Sequence, residues 1–150
     1  MQFTPSKLNA FMFFKLPSAF WSGVRVKSIS PEVCEVTVKH SWFNQNPFNS
    51  MYFAVQAMAA ELSTGALVMF QIAKSGRKIS MLVANNKGNF TKKATGRITF
   101  TCNDGHLIEK AILETIATGE GQTFWMKSIG TNETGIQVSE MDFEWSVRVK

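Results

Sequence analysis

Residues 44–78 read NQNPFNSMYFAVQAMAAELSTGALVMFQIAKSGRK, and the placing of this stretch decides the fold. A polar, turn-prone lead-in (Asn44, Asn46, Pro47, Asn49, Ser50) feeds an apolar run from Met51 to Ala73. Glu61 is the only charged side chain in that run, and Lys74, Arg77 and Lys78 follow it. The pattern predicts a helix over about 51–74, capped by Asn49 or Ser50 and stopped at Gly76. At ~1.5 Å per residue such a helix is on the order of 34 Å long. It is apolar nearly all round, so it has to be buried. In a chain this small only a strongly curved sheet, or a sheet plus a partner subunit, covers it.

The flanks supply that sheet. Pro5 and Ser6 open a short helix with Leu8, Phe11, Met12 and Leu16 at helical spacing, and Pro17 is read as its stop. A loop holding Phe20 and Trp21 is expected next. Val24, Val26 and Ile29, then Cys34, Val36 and Val38, alternate with polar residues around Ser30-Pro31-Glu32, which predicts an antiparallel hairpin. Beyond the long helix, Ile79, Met81 and Val83 alternate up to a turn or bulge at Asn85-Asn86-Lys87-Gly88. Ile98, Phe100 and Cys102 form another strand, and Asp104 is placed to cap a helix with Ile108, Ile112 and Ile116 on one stripe. Phe124 to Ser128 and Met141 to Val149 complete the alternating segments. The result is a single α+β domain over residues 1–150, with a mostly antiparallel sheet wrapped round one long helix.

The formal charge is +5, which favours an anionic partner without choosing one. Cys34 and Cys102 lie on apolar strand faces and read as buried thiols in a reducing compartment, so a cytoplasmic location is expected. No segment has the pattern of a targeting signal. The 51–73 run is long enough to cross a bilayer, but Gln56, Glu61, Ser63, Thr64 and Gln71 make insertion costly, and no membrane partner is expected. The cations are scattered rather than interleaved with aromatics, which argues against nucleic acid. His40 and His106 have no ligand-type neighbours at metal spacing.

The element order resembles the hotdog fold, in which a curved antiparallel sheet wraps a central helix. Residues 15–47, KLPSAFWSGVRVKSISPEVCEVTVKHSWFNQNP, resemble an uncharacterised family of thioesterase-like hotdog proteins through the Pro near the first helix end, the Gly before the first strand, and Trp42-x-Asn44-x-Asn46. A second resemblance is to acyl-CoA thioesterases of the phenylacetyl-CoA type. These carry an Asn ahead of the helix, a His-Gly-Gly at its start, and an acid fifteen positions after the Asn. Asn46 and Glu61 stand at that spacing, while Tyr52, Phe53 and Ala54 occupy the His-Gly-Gly positions. The resemblance implies a homodimer, or a dimer of dimers, with the site at the subunit interface. It implies no cofactor, coenzyme A entering only as part of the substrate.

Taken residue by residue, Glu61 shares a helix face with Ala54, Ala57, Met58 and Gly65. Small neighbours admit a ligand, and desolvation raises a carboxyl towards neutrality, which suits a general base or nucleophile. Free amides of Phe53 and Ala54 at the helix start are placed to receive an oxyanion, and Asn46 to orient water or carbonyl. Trp42, Phe48, Tyr52 and Met58 are candidates for an acyl or aryl pocket. Lys74, Arg77, Lys78, Lys87, Lys92, Lys93 and Arg97 either meet coenzyme A phosphates or form a solvated surface. The enzyme reading is an acyl-CoA thioesterase. The alternative is a non-catalytic hotdog protein that holds an acyl or aromatic ligand, which the bulk of Phe53 in place of glycine favours.

Overall fold

The apolar run forms α3, Phe53–Ser75, and most of its length is buried. The computed structural model describes residues 2–150. The helix stops where expected. Gly76 takes the left-handed conformation at φ 68°, open to it because it has no Cβ, and its N–H bonds the Ala73 carbonyl. The start differs from the expected one. Tyr52 is the N-cap residue, with no side chain capping the first turn. Asn49 adopts φ 59° in the preceding turn, and Ser50 is spent on Asn46 through its hydroxyl and amide. Neither reaches the first turn of α3.

Six strands form one antiparallel sheet in the order β1-β2-β4-β5-β6-β3. They are β1 Arg25–Ile29, β2 Cys34–Lys39, β3 Ile79–Phe90, β4 Arg97–Cys102, β5 Gln122–Thr131 and β6 Gln137–Val149. Val36, Val38, Ile98, Phe100, Met126, Phe143, Trp145 and Val147 are all buried. With the apolar positions of α3 they make the core of a curved sheet around a central helix, the hotdog arrangement expected. Cys34 and Cys102 face each other in register across β2 and β4, both buried and both free thiols. Desolvation pushes each of them up to about 12.

Three local readings are sharpened or corrected. Pro17 stops the first helix, as expected, and also opens a second. Helix α1, Pro5–Lys15, closes at Leu16, and Pro17 opens α2, Pro17–Trp21, so Phe20 and Trp21 lie on a helix rather than a loop. Proline lacks an N–H that the first turn would leave unpaired anyway, so it starts a helix as readily as it stops one. Of the turn or bulge expected around Asn85–Gly88, the bulge is the one that occurs. The register shifts between Val83 and Asn85, and the strand then continues to Phe90 against the long β6. Asp104 does not cap α4, Ile108–Thr118, with its side chain. A 3-10 turn, Gly105–Leu107, intervenes, and the Asp104 carboxylate accepts the Lys127 amide at 2.8 Å.

Polar pairs pin α3 to the sheet. The Ser63 and Ser128 hydroxyls lie 2.7 Å apart, the Ser139 hydroxyl donates to Gln56 Oε1 at 2.9 Å, and Trp145 Nε1 donates to Thr64 Oγ1 at 2.9 Å. All three are buried, so each partner left single carries its full desolvation cost. Thr64→Val keeps the shape but leaves the indole N–H without an acceptor. It is expected to cost about 1–2 kcal/mol in denaturant unfolding, with Thr64→Ser restoring most of it. Equal stability of the valine variant and wild type would show that the indole finds another acceptor.

The two sheet edges are finished differently. At β1 the Asn9 side chain of α1 pairs with the backbone of Val26 in both senses, accepting its N–H at 2.8 Å and donating to its carbonyl at 3.1 Å. At the other end β3 pairs only with β6 among the described residues, so its outer edge is open along twelve residues.

Candidate functional site

The flank of α3 that its own sheet leaves uncovered carries Ala54, Ala57, Met58 and Glu61, all partly exposed. These positions recur every three or four residues, so they line one face. The Glu61 carboxyl has no hydrogen bond or ion pair with any described residue, while its backbone carbonyl accepts the Thr64 hydroxyl at 2.8 Å. Burial pushes its carboxyl up from 4.5 to about 7, desolvation being the cause. Its Oε1 leans towards the C-terminal end of the helix, 3.6 Å from where a Cβ on Gly65 would stand. The Trp145 ring would lie 3.0 Å from that same Cβ. The missing side chain at Gly65 is therefore what lets the Trp145 ring and the carboxyl settle against the helix.

The second part of the site lies at the N-terminal mouth of α3. A cavity of about 570 Å³ is walled by Phe48, Tyr52, Phe53 and Phe90, with Asn46, Met51, Gln56, Thr91, Lys92, Lys93 and Ala94 completing it. Tyr52 and Phe53 stand edge-on at 5.1 Å, and Phe53 and Phe90 at 6.2 Å. Lys93 Nζ donates to the Phe48 carbonyl at 3.0 Å, fixing one wall. The Tyr52 carbonyl accepts the Val55 and Gln56 amides, while the Phe53 and Ala54 amides have no acceptor among the described residues.

Of the residues expected from sequence, Asn46, Phe48, Tyr52 and Phe53 are brought together at this cavity. Ala54, Met58 and Glu61 lie on the neighbouring helix flank and do not line it. Trp42 does not line the cavity but an adjoining shallow surface depression with Phe43, Gln45, Asn46 and Pro47, the last two shared with the cavity. The expected role of Asn46 as an orienting amide meets a local demand. Its Oδ1 accepts the Phe48 amide at 2.9 Å and the Ser50 amide at 3.2 Å, and its Nδ2 donates to Ser50 Oγ at 3.0 Å. That amide builds the loop. Gln56, Phe90, Thr91 and Ala94 were not singled out as pocket residues by the sequence, whereas Lys92 and Lys93 were, as candidates to meet coenzyme A phosphates. Phe90 reaches the helix mouth only because β3 runs on past its bulge, and no local pattern announces that.

Phe53 and Glu61 are eight positions apart, about 12 Å along the axis. With Glu61 leaning the other way, the free amides and the carboxyl of one chain do not converge on one point.

Solved structures share this fold across almost the whole chain. A Pseudomonas aeruginosa protein of unknown function, described as a probable thioesterase, is 22% identical with a TM-score of 0.80, over 98% of this chain and 97% of that one. A Chlorobaculum tepidum protein of unknown function is 13% identical with a TM-score of 0.85, covering 97% and 94% of the two chains. A Haemophilus influenzae thioesterase is 14% identical with a TM-score of 0.76, covering 99% and 93%. At these identities the likeness is one of fold. No curated protein matches the sequence. Residues 5–147 match a family described as a domain of unknown function, DUF4442, and the chain belongs to that family, with the hotdog fold of the thioesterases it resembles.

Proposed function

We propose that the protein hydrolyses an acyl-CoA thioester at a site shared between two copies of the chain. The observation that carries this reading is Glu61: an unpaired, desolvated carboxyl with its pKa near 7, on the open flank of the central helix. In the step proposed, the Glu61 carboxylate takes a proton from water as the oxygen adds to the thioester carbonyl carbon. The negative oxygen that forms is held by the free Phe53 and Ala54 amides. The carbon–sulfur bond then breaks, the carboxylic acid is released, and the proton returns to the coenzyme A sulfur. Direct attack by the carboxylate reaches the same products through an anhydride that water opens.

Two copies are invoked for a geometric reason. The carboxyl and the amides of one α3 point apart, and the open β3 edge beside this flank is the unfinished edge of the sheet. In the dimer proposed, two β3 edges pair antiparallel and the helix mouth of one chain faces Glu61 of the other. The cations Lys92 and Lys93 at the cavity suit the phosphates of coenzyme A. The buried free thiols Cys34 and Cys102 fit a reducing cytoplasm.

The test is hydrolysis of an acyl-CoA panel by the purified chain, with its mass in solution measured alongside. A dimer active on at least one aryl or alkyl thioester is expected. A chain inert on every substrate, or equally active as Glu61→Gln, sinks the enzyme reading. A second reading, a protein that holds an acyl or aromatic ligand without turnover, draws on one observation: the 570 Å³ cavity has aromatic walls and does not include Glu61. Native mass spectrometry decides for it if a ligand co-purifies and no substrate is cleaved.

A further inference from the structure

Helices α1 and α2 meet at Leu16, and their corner leaves Phe13, Phe14, Leu16 and Trp21 exposed, Phe14 by 75% and Trp21 by 63%. The rings form a connected set. Phe13 stands edge-on to Phe14 at 4.9 Å and to Phe20 at 5.1 Å, and Phe20 edge-on to Trp21 at 5.8 Å. The loop after β2 adds Trp42, 83% exposed, and Phe43, 62% exposed. That loop is fastened to the same corner. Asn44 is buried, donates from Nδ2 to the Ser22 carbonyl at 2.9 Å, and accepts the Ser41 amide at 2.9 Å. Single exposed aromatics need no explanation, but two segments tied together present six large apolar side chains here. The core does not ask for them, since α1 already buries Leu8 and Met12.

Charge says what covers this corner. The first sixty residues hold five cations, Lys7, Lys15, Arg25, Lys27 and Lys39, against two acids, Glu32 and Glu35. Glu32 sits in the β1–β2 turn and Glu35 at the start of β2, most of a strand length, about 13–16 Å, from the corner. Glu35 is paired with Lys27 at 3.6 Å, and Glu32 lies 4.0 Å from His106 Nδ1. Lys15 ends α1, Lys39 ends β2, and the Arg25 guanidinium lies over the Phe20 ring at 3.6 Å. Glu133, which the β5–β6 turn brings to this end of the sheet, is held by the Arg97 amide at 2.8 Å.

We propose that this corner docks on an anionic bilayer surface, with the rings at the boundary between headgroups and acyl chains and the cations against lipid phosphates. Tryptophan and phenylalanine beside lysine and arginine are the side chains that favour that boundary. A bilayer contact of this kind needs no spanning helix, so it is compatible with a buried α3. A second copy is a poorer occupant, because it brings two positive corners together at the β1 edge that Asn9 already closes. The proposal stands whether or not the helix flank cleaves a thioester.

The experiment is co-sedimentation of the full chain with phosphatidylcholine vesicles and with vesicles one quarter phosphatidylglycerol. Binding to the anionic vesicles is expected to be at least about tenfold tighter and to weaken at high salt. The double variant Phe14→Ser, Trp21→Ser is expected to lose about tenfold or more while unfolding at the wild-type temperature, both side chains being exposed. Lys15→Glu reports the charge component separately. Failure of wild type to pellet with either vesicle overturns the proposal, as does equal pelleting by the double variant. A drop in solution mass in the double variant, with no difference on vesicles, assigns the corner to chain–chain contact instead and overturns it too.

Discussion

Replacing Glu61 with glutamine is expected to lower thioester turnover by about two to four orders of magnitude without loss of fold. In the wild type the rate is expected to rise with pH and level off above about 7, because only the ionised carboxylate takes the proton. The same substitution has an opposite effect on stability. The carboxyl holds its proton more tightly folded, near 7, than unfolded, near 4.5. Folding therefore loses free energy as pH rises between those values, and the loss persists above them. Glutamine is free of that penalty, so Glu61→Gln is expected to be more stable than wild type at pH 8 by about 3 kcal/mol, and about equal at pH 4. Denaturant unfolding at the two pH values measures this. A variant less stable than wild type at pH 8 would mean that the carboxylate has a cation partner, and the base assignment would go with it. An inactive, more stable variant is the pattern of a residue kept for chemistry at a cost to the fold.

The second large effect is structural. Gly105→Ala is expected to destabilise the chain by about 3 kcal/mol, read as a lowered denaturant midpoint. A Cβ there meets the Pro31 carbonyl oxygen and lies 2.7 Å from Glu32 Cα, backbone on both counts. No rotamer relieves it. The Gly105 amide donates to the Glu32 carbonyl at 3.0 Å, so the 3-10 turn ahead of α4 is sealed directly onto the β1–β2 turn. Alanine at Gly119, where nothing lies within 4 Å, meets only the cost of φ 74° and is the comparison. Similar losses at both positions would mean that the turn shifts to accept the methyl.

Much of the fold could be read from residues because burial leaves a signature. The 51–73 run has one charge, so it had to be central, and Gly76 had to stop it. The strict alternation from Met141 to Val149 had to be a strand with one face on that helix. What escaped was decided by partners distant in sequence. β3 runs through Asn-Asn-Lys-Gly, poor strand formers, because the longer β6 supplies bonds on its inner side. Pro17 carries the same local information whether it ends one helix or starts the next. The site divides the same way. Glu61 could be found as a lone acid in an apolar run. Phe90 could not, since it meets Phe53 only because β3 runs on past its register shift. Asn46 has the expected spacing, and its amide also builds the turn that holds the left-handed Asn49, a task the spacing did not announce.

The open β3 edge also bears on the time before any second chain arrives. A newly folded copy displays a twelve-residue edge with free backbone donors and acceptors on alternate residues, a template for any extended chain that passes. The two halves of the strand meet that hazard differently. Ile79–Val83 is flat and apolar enough to recruit a neighbour. The half after the register shift twists and carries Lys87 and Gly88, which discourage indiscriminate addition. Wrong partners are thus discouraged along half of the edge, and if two copies pair through β3 as proposed, the other half is where pairing begins.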